Sequence, residues 1–250
     1  MRPNRLKQIW ASGKAATNCW LMLPSAISAE QLAHQGWDSL TVDRQHGQAD
    51  HAAMVAIFTA ISTTDAAALA RVKGNDAGDI GRALDSGAYG VICPMVDTAA
   101  DAGRFVAACR YPPEGSRSYG PRRAAIYAGA DYADHANETV LAIAQIETAT
   151  AMRNLEAIAA VPGLDMLFLG PNDLRLSLGM RPRATIAESQ IIAAAETVRA
   201  VARKAGLKAG IFCGNPDDAL AMIERGFDFV TAVIDDSLLA AGAEMHRRFS

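Results

Sequence analysis

The sequence has few cysteines and no long hydrophobic run, and both absences restrict the class of protein. Its four cysteines, Cys19, Cys93, Cys109 and Cys213, have neither metal-ligand nor redox spacing. The longest apolar runs have strand length and are interrupted by charges or glycine, so we expect no membrane span. A net charge of −3 without a basic run argues against nucleic acid as a partner.

The N-terminal residues lack the apolar segment that a secretory signal needs. The opening stretch, MRPNRLKQIW, is charged and polar, and no such segment follows it. All of the cysteines except Cys109 fall inside apolar strand-like runs, where a free buried thiol is ordinary. We therefore expect a reduced, cytoplasmic protein, either an enzyme or a binding protein.

Apolar runs alternate with helical segments along the whole chain. Half of the 250 residues are hydrophobic, which is ample for one buried core and awkward for two. A short amphipathic helix is predicted first, over 4–13. Strands are predicted over 16–23, 39–42, 67–72, 90–96, 139–146, 164–169, 209–212 and 227–234. Helical periodicity follows each strand, over 28–35, 51–61, 76–84, 99–109, 148–160, 186–205, 217–225 and 237–248.

Eight strand–helix units in a chain of 250 residues predict an α/β fold, the (β/α)₈ barrel. A doubly wound open sheet is the alternative. It is disfavoured because no Gly-x-Gly-x-x-Gly follows the first strand and because such sheets usually need fewer strands. We therefore expect a single barrel domain over residues 1–250, without an internal linker.

One connection, residues 111–138, is unusually long and shows no clear apolar periodicity. A connection of this length in a compact domain is usually a lid or a binding loop, or else disordered. A solvated surface excursion is the other interpretation. The segment carries three arginines and two tyrosines, namely Arg117, Arg122, Arg123, Tyr119 and Tyr127.

Two acidic residues follow neighbouring strands. Glu147 ends the fifth strand, and Asp173 follows the sixth after the turn Gly170-Pro171-Asn172. A helical crossover makes the two strands parallel neighbours, so both acids should meet at the functional end of the barrel. Two carboxylates without a His or Cys cluster suit Mg²⁺ or Mn²⁺, with Co²⁺ as a substitute. A pair of salt-bridged acids at the rim is the alternative.

An ordered set of motifs, spread over almost the whole chain, resembles the HpcH/HpaI aldolase/citrate lyase family. The motifs are VDRQHG, LARV, IGRALDSGAYGVICPMV, RYPPEGSRSYGP, QIET and LDMLFLGPNDL. Within this family the chain is similar to the metal-dependent, class II pyruvate aldolases, such as 4-hydroxy-2-oxoheptanedioate (2,4-dihydroxyhept-2-ene-1,7-dioate) aldolase. The resemblance implies a TIM barrel of the phosphoenolpyruvate/pyruvate type. It also implies reversible cleavage of 4-hydroxy-2-oxo acids to pyruvate and an aldehyde, through a metal-bound pyruvate enolate.

The resemblance assigns roles to five residues near the predicted rim. Glu147 and Asp173 match the metal ligands. Arg71 matches the substrate arginine, whose planar fork stabilises an enolate, although it could instead hold one of the two acids. His46 matches the general base that takes the C4 hydroxyl proton. Asp43 matches the carboxylate that pairs with His46 and fixes its tautomer.

Further residues match positions near the substrate. Gln145 should point into the barrel beside the bound keto acid, although a structural hydrogen bond is nearly as good an interpretation. The turn containing Asn172 and Asp173 should direct backbone N–H groups at the substrate carboxylate, and a plain helix cap is the alternative. Trp20 and Phe212 either line the aldehyde pocket or belong to the core.

Three positions depart from the commonest family pattern. Gln45 stands where many members carry glutamate, which removes a negative charge near the metal. Asn172 replaces a usual alanine, and residues 212–214 differ from the usual small and aliphatic set. The first departure bears on metal affinity, and the other two bear on the identity of the aldehyde.

The resemblance also implies partners. The substrates would be pyruvate or a hydroxypyruvate-like keto acid and an aldehyde. The subunits would form a homohexamer, in which helix 237–248 could be exchanged and Asp85 could enter a neighbouring subunit's site. A CoA-ester lyase, an oxaloacetate decarboxylase and a non-catalytic keto-acid-binding barrel remain alternatives.

Overall fold

Eight parallel strands close into a barrel, which confirms the predicted fold. The structure, a computed structural model, describes residues 1–183, 185–244 and 246. The strands are β1 (Ala16–Leu21), β2 (Ser39–Asp43), β3 (Ala67–Arg71), β4 (Gly90–Cys93), β5 (Leu141–Ile146), β6 (Met166–Leu169), β7 (Lys208–Phe212) and β8 (Phe229–Ile234). Each strand pairs with the next along the chain, and β8 pairs with β1. Their side chains are almost all buried, as expected of a parallel sheet covered on both faces.

Helices cover the outside of the barrel and its N-terminal end. They are α1 (Arg5–Ala11), α2 (Ala26–Ala33), α3 (His51–Ile61), α4 (Ala77–Asp85), α5 (Ala99–Cys109), α6 (Arg122–Ala128), α7 (Tyr132–Thr139), α8 (Ala149–Arg153), α9 (Leu155–Ala159), α10 (Pro171–Ser177), α11 (Ser189–Lys204), α12 (Pro216–Glu224) and α13 (Asp235–Ala243). Several begin at a capping side chain: Asp50 accepts the N–H of Ala53, and Thr98 accepts that of Asp101. None of the described helices is both long and apolar enough to cross a membrane.

Most predicted elements differ from the structure by one to three residues at an end, and two differences have a clear physical reason. The helix predicted over 148–160 is divided into α8 and α9 at Asn154. The strand predicted over 90–96 is shorter, because Pro94 cannot donate to the ladder and Met95 has a positive φ of 55°.

Both predicted terminal helices are present. The helix predicted over 4–13 is α1, and Asn4 caps it. The helix predicted over 237–248 begins two residues earlier and is described as α13. Residues 245, 247 and 248 of that prediction lie outside the described residues. The exchange of this helix between subunits stays a prediction.

The long connection over 111–138 lies at the N-terminal end of the barrel, so of the interpretations left open above, a lid over this chain's own rim does not hold. It includes α6 and most of α7, and the Tyr132 side chain is buried. Asn4 donates to the carbonyl of Thr139, just before β5 begins, and Arg117 donates to the Tyr132 hydroxyl at 3.0 Å. A connection from a helix to the next strand returns the chain to this end, opposite the end that carries chemistry in such barrels. Sequence periodicity did not predict α6 and α7, because both helices are short and rich in alanine and polar residues.

Aromatic rings fill the barrel interior beneath the C-terminal rim. Trp20 stacks on Phe168 with ring centroids 6.1 Å apart, and Phe168 meets Phe229 at 5.8 Å. Gly210 leaves space for these rings, since a Cβ there would lie 2.7 Å from the Met166 sulfur and 2.8 Å from the Phe168 ring. Polar side chains above this apolar floor therefore interact in a medium of low dielectric constant.

Candidate active site

Glu147 and Asp173 lie at the same rim of the barrel, on neighbouring strands, as the crossover predicts. Glu147 directly follows β5 and is 1% exposed, whereas the half-buried Asp173 lies in the first turn of α10. Ile146 pairs with Leu169, so the two strands end level. Burial and the negative charge of Asp173 both raise the pKa of Glu147, so the two carboxylates are within electrostatic range.

Hydrogen bonds hold both carboxylate oxygens of Glu147. Oε1 accepts the backbone N–H of Met95 at 2.8 Å, and Oε2 accepts Nε2 of Gln145. Burial is the largest influence and raises the pKa of Glu147 to about 7, although these hydrogen bonds and the Arg71 charge act in the opposite direction. A cation bound here would stabilise the buried charged form.

Two backbone features that the sequence motifs did not predict make this arrangement possible. Met95 is the one described residue other than glycine with a positive φ, a rarely populated conformation that occurs preferentially at functional sites. It directs the Met95 N–H at Glu147. At Gly170, a Cβ would lie 2.6 Å from Glu147 Oε2 and 2.7 Å from Gln145 Nε2, so a larger residue would displace both side chains.

Asp43 binds Arg71 and not the ring of His46. Its carboxylate accepts Arg71 Nε at 3.0 Å, Arg71 Nη2, and Trp20 Nε1 at 3.1 Å. The backbone N–H groups of Gln45 and His46 donate to Oδ1 at 2.9 and 3.2 Å. Across the described residues, no hydrogen bond joins Asp43 to the imidazole. The described structure therefore shows other donors on the Asp43 carboxylate in place of the His46 ring, and the catalytic pairing of these two residues stays a prediction.

The Asp43–Arg71 ion pair fixes the orientation of the Arg71 guanidinium below the rim. Burial alone would raise the pKa of Asp43, but the hydrogen bonds and charge of Arg71, assisted by the His46 N–H and the Trp20 indole, lower it below the ordinary value. The Arg71 Cζ lies 5.0 Å from the centroid of the Trp20 ring. Nη1 has no hydrogen-bond partner among the described residues, and a keto-acid oxygen could therefore accept from it.

A cavity of about 200 Å³ opens at this rim. Gln145, which is 3% exposed, lies deep in it, and the exposed His46 lies near its mouth. Trp20 is 1% exposed and packs in the aromatic core, edge-on to Phe212. Of these two predicted aldehyde-pocket residues, only Phe212 lines the cavity. The lining residues are His46, Arg71, Gln145, Gly170, Pro171, Asn172, Asp173 and Phe212.

Asn172 lines the cavity, but its side-chain oxygen faces the protein. Oδ1 accepts Arg175 Nη1 at 2.9 Å and the backbone N–H of Arg183 at 3.1 Å. The N-cap position of α10 is Gly170, so neither Asn172 nor Asp173 caps that helix.

The side chains present fit a divalent cation that prefers oxygen ligands. Glu147 and Asp173 would be its acidic ligands. Among the described residues no group of three or more His, Cys, Asp or Glu side chains could hold a metal ion, so the other ligands would be oxygens of water or substrate. Gln145 Oε1 is buried beside Glu147 and has no hydrogen-bond partner within the described part of the chain, as expected where bound water completes a coordination shell. Two carboxylates with water or substrate oxygens suit Mg²⁺ or Mn²⁺ better than a metal that needs thiolate or imidazole.

Two other positions singled out from the sequence have different surroundings. The Oε1 atom of Gln45 is buried and finds no hydrogen-bond partner among the residues that the structure describes. Asp85 ends α4 and accepts Arg117 Nη2 at 2.8 Å within its own chain. Its entry into a neighbouring subunit's site stays a prediction.

Comparison with known proteins agrees with this geometry. The family model for HpcH/HpaI aldolase/citrate lyase matches residues 16–241. A hydroxypyruvate/pyruvate aldolase of Rhizorhabdus wittichii is 40% identical over 240 residues, which cover 96% of each chain. A 4-hydroxy-2-oxovalerate aldolase of Novosphingobium aromaticivorans is 38% identical over 96% of this chain and 92% of its own.

A crystal structure of an HpcH/HpaI aldolase/citrate lyase family protein from Burkholderia cenocepacia superposes with a TM-score of 0.90 at 33% identity and covers 98% of both chains. The matched region includes every strand of the barrel and all of the rim residues described above. The chain therefore belongs to the HpcH/HpaI aldolase/citrate lyase family and is a carbon–carbon lyase.

Proposed function

We propose that the chain is a class II aldolase, dependent on a divalent metal ion, that reversibly cleaves 4-hydroxy-2-oxo acids. The products would be pyruvate, or a hydroxypyruvate-like keto acid, and an aldehyde. The observation that carries this proposal is the buried Glu147 carboxylate, close to Asp173 and to the fixed charge of Arg71. A bound Mg²⁺ or Mn²⁺, with Co²⁺ as a substitute, would supply Lewis-acid polarisation of the keto-acid carbonyl.

Arg71 supplies the stabilising charge from the protein. Because Asp43 holds Nε and Nη2, the free Nη1 has a fixed direction before substrate arrives. It donates to the keto-acid oxygen, and the interaction strengthens as negative charge develops there in the enolate. In this proposal Asp43 positions Arg71 and does not itself touch substrate.

His46 moves the proton. Its ring makes no hydrogen bond to the described residues, and its side chain lines the mouth of the cavity. In cleavage, the imidazole takes the proton from the C4 hydroxyl as the C3–C4 bond breaks and the aldehyde forms. In synthesis it returns that proton to the new hydroxyl group.

The relatives support 2-oxo acids as the substrate class, and their names point to different individual substrates. One is named for hydroxypyruvate and pyruvate, and another for 4-hydroxy-2-oxovalerate. A third, a 5-keto-4-deoxy-D-glucarate aldolase of Klebsiella pneumoniae, is 35% identical over 93% of this chain. Each of these named compounds has a keto group beside a carboxylate, and the compounds differ in the remainder of the molecule. We therefore propose a class of substrate.

We further propose a single barrel domain over residues 1–250 that acts in the cytoplasm as a homohexamer. Four free, buried cysteines fit a reducing compartment. Exposed leucines on the last helix, Leu238 and Leu239, fit a contact between subunits. Light scattering of the purified protein tests the hexamer, since a monomeric mass at micromolar concentration would contradict it.

Chelation tests the proposed reaction. We expect retro-aldol turnover of a 4-hydroxy-2-oxo acid to stop in excess EDTA and to return when Mn²⁺ or Mg²⁺ is added. Borohydride added during turnover should trap no pyruvate adduct, because the mechanism needs no Schiff base on Lys73 or another lysine. Full turnover in EDTA, or a trapped adduct, contradicts the proposal. Keto-acid binding without any carbon–carbon bond chemistry would favour the binding-protein alternative.

A further inference from the structure

Two hydrogen-bond donors fix the orientation of the Asn172 side-chain amide. Its Oδ1 accepts both the Arg175 guanidinium and the backbone N–H of Arg183. An amide nitrogen cannot accept from either group, so the positions of the oxygen and nitrogen are fixed by chemistry. The Nδ2 group, with two N–H donors, has no hydrogen-bond partner among the described residues.

Arg175 is a rigid support for this orientation. Its side chain is entirely buried, and its Nη2 donates to the carbonyl of Thr185 and, at 2.7 Å, to Oε2 of Glu188. These bonds connect α10 to the segment that leads into α11. Since the guanidinium cannot turn without breaking them, Asn172 loses little conformational entropy when it binds a ligand.

The location of Asn172 points to the second substrate. The groups proposed to bind the keto acid lie deep, because Glu147 is 1% exposed and Gln145 is 3% exposed. Asn172 is exposed and lines the cavity near its mouth together with His46. An aldehyde that enters from solvent to be attacked by the enolate must pass these outer residues, and His46 is the proposed proton carrier for its oxygen.

We propose that Asn172 is a specificity-determining residue for aldehydes that carry a hydroxyl group beside the carbonyl carbon. Its Nδ2 donates a hydrogen bond to that hydroxyl oxygen, and Arg175 is the positioning residue. This inference rests on the proposed aldolase function.

The test compares glycolaldehyde with acetaldehyde, which differ by one hydroxyl group. Aldol synthesis is measured with saturating pyruvate and Mn²⁺, and the readout is the ratio of kcat/KM for the two aldehydes. Asn172→Ala removes the donor. Asn172→Asp keeps an acceptor for Arg175 and lacks the donor, so it provides a second measurement if the alanine variant folds poorly. Leu176→Ala, at an exposed position of the same helix, is the control.

We expect the wild-type protein to prefer glycolaldehyde, and the ratio to fall about threefold to tenfold in both Asn172 variants, as expected for one neutral hydrogen bond. The control should keep the wild-type ratio. An unchanged ratio in both variants overturns the inference. This holds whether both rates stay at the wild-type level or fall by the same factor, and an equal fall would mean that the amide serves the keto acid. If the wild-type protein joins pyruvate to neither aldehyde, the proposed aldolase function itself fails.

Discussion

Replacing Asp43 by asparagine tests whether this carboxylate acts through Arg71 or through His46. The side chain is wholly buried and Arg71 is 8% exposed, so the substitution leaves a guanidinium in a poorly solvated place without its counter-charge. Losing one partner of a buried pair costs about 3–5 kcal/mol. Asparagine still offers one acceptor oxygen, so we expect a loss near the lower end, about 3 kcal/mol, in the free energy of unfolding.

The catalytic effect should be large because Arg71 would lose its fixed direction. We expect kcat/KM to fall about 100-fold, the size of effect that a misplaced catalytic group produces. Urea denaturation and retro-aldol kinetics measure the two effects on the same samples.

A double-mutant cycle identifies the partner. With Arg71→Lys, the Asp43→Asn substitution should show a coupling energy of about 1.5–3 kcal/mol, since both changes remove the same charged hydrogen bonds. With His46→Gln, the coupling should stay below about 0.5 kcal/mol, the usual range for sites without a shared side-chain contact. Strong coupling to His46 and weak coupling to Arg71 would show that Asp43 acts through His46 instead.

Two further predictions concern stability and packing. The folded-state pKa of Asp43 lies below its ordinary value, so its contribution to stability is complete above about pH 4 and disappears as the pH falls through the folded-state pKa. The difference between wild-type and Asp43→Asn unfolding free energies should therefore narrow on acidification, and a difference that widens would contradict this sign. Gly170→Ala should destabilise the fold by about 1–3 kcal/mol and reduce turnover about 100-fold, because the new Cβ displaces Glu147. Gly103→Ala lies inside α5, and apart from its own helix backbone no atom of the described residues lies within 4 Å of the added Cβ. This substitution should instead stabilise by about 0.5–1 kcal/mol, and thermal denaturation of both variants checks the contrast.

The barrel and the position of its rim residues could be predicted because they follow from local patterns. Apolar strands separated by helices close in only a few ways, and strand ends then place Glu147, Arg71 and Asp173 on one rim. These conclusions need the order of elements and no knowledge of individual side-chain contacts.

The partner of Asp43 could not be predicted in the same way. The family resemblance suggested His46, three residues away. The register of β2 and β3, however, puts Asp43 directly beside Arg71, and a guanidinium offers two donors where the imidazole offers one. Competition between donors that are distant in sequence is decided by tertiary packing.

The backbone conformation of Met95 could not be predicted from sequence patterns either. Met95 adopts a positive φ without being glycine or asparagine, so its residue type gave no signal. The chain direction, by contrast, could have placed residues 111–138 correctly, because a segment between a helix and the next strand must lie at the N-terminal end of the barrel.

Anomalous diffraction from crystals grown with Mn²⁺ and pyruvate would locate the cation itself. We expect one strong manganese peak between the carboxylates of Glu147 and Asp173, with pyruvate oxygens completing its coordination. A peak bound elsewhere, or ordered pyruvate at this rim without any manganese, would contradict the proposed metal site.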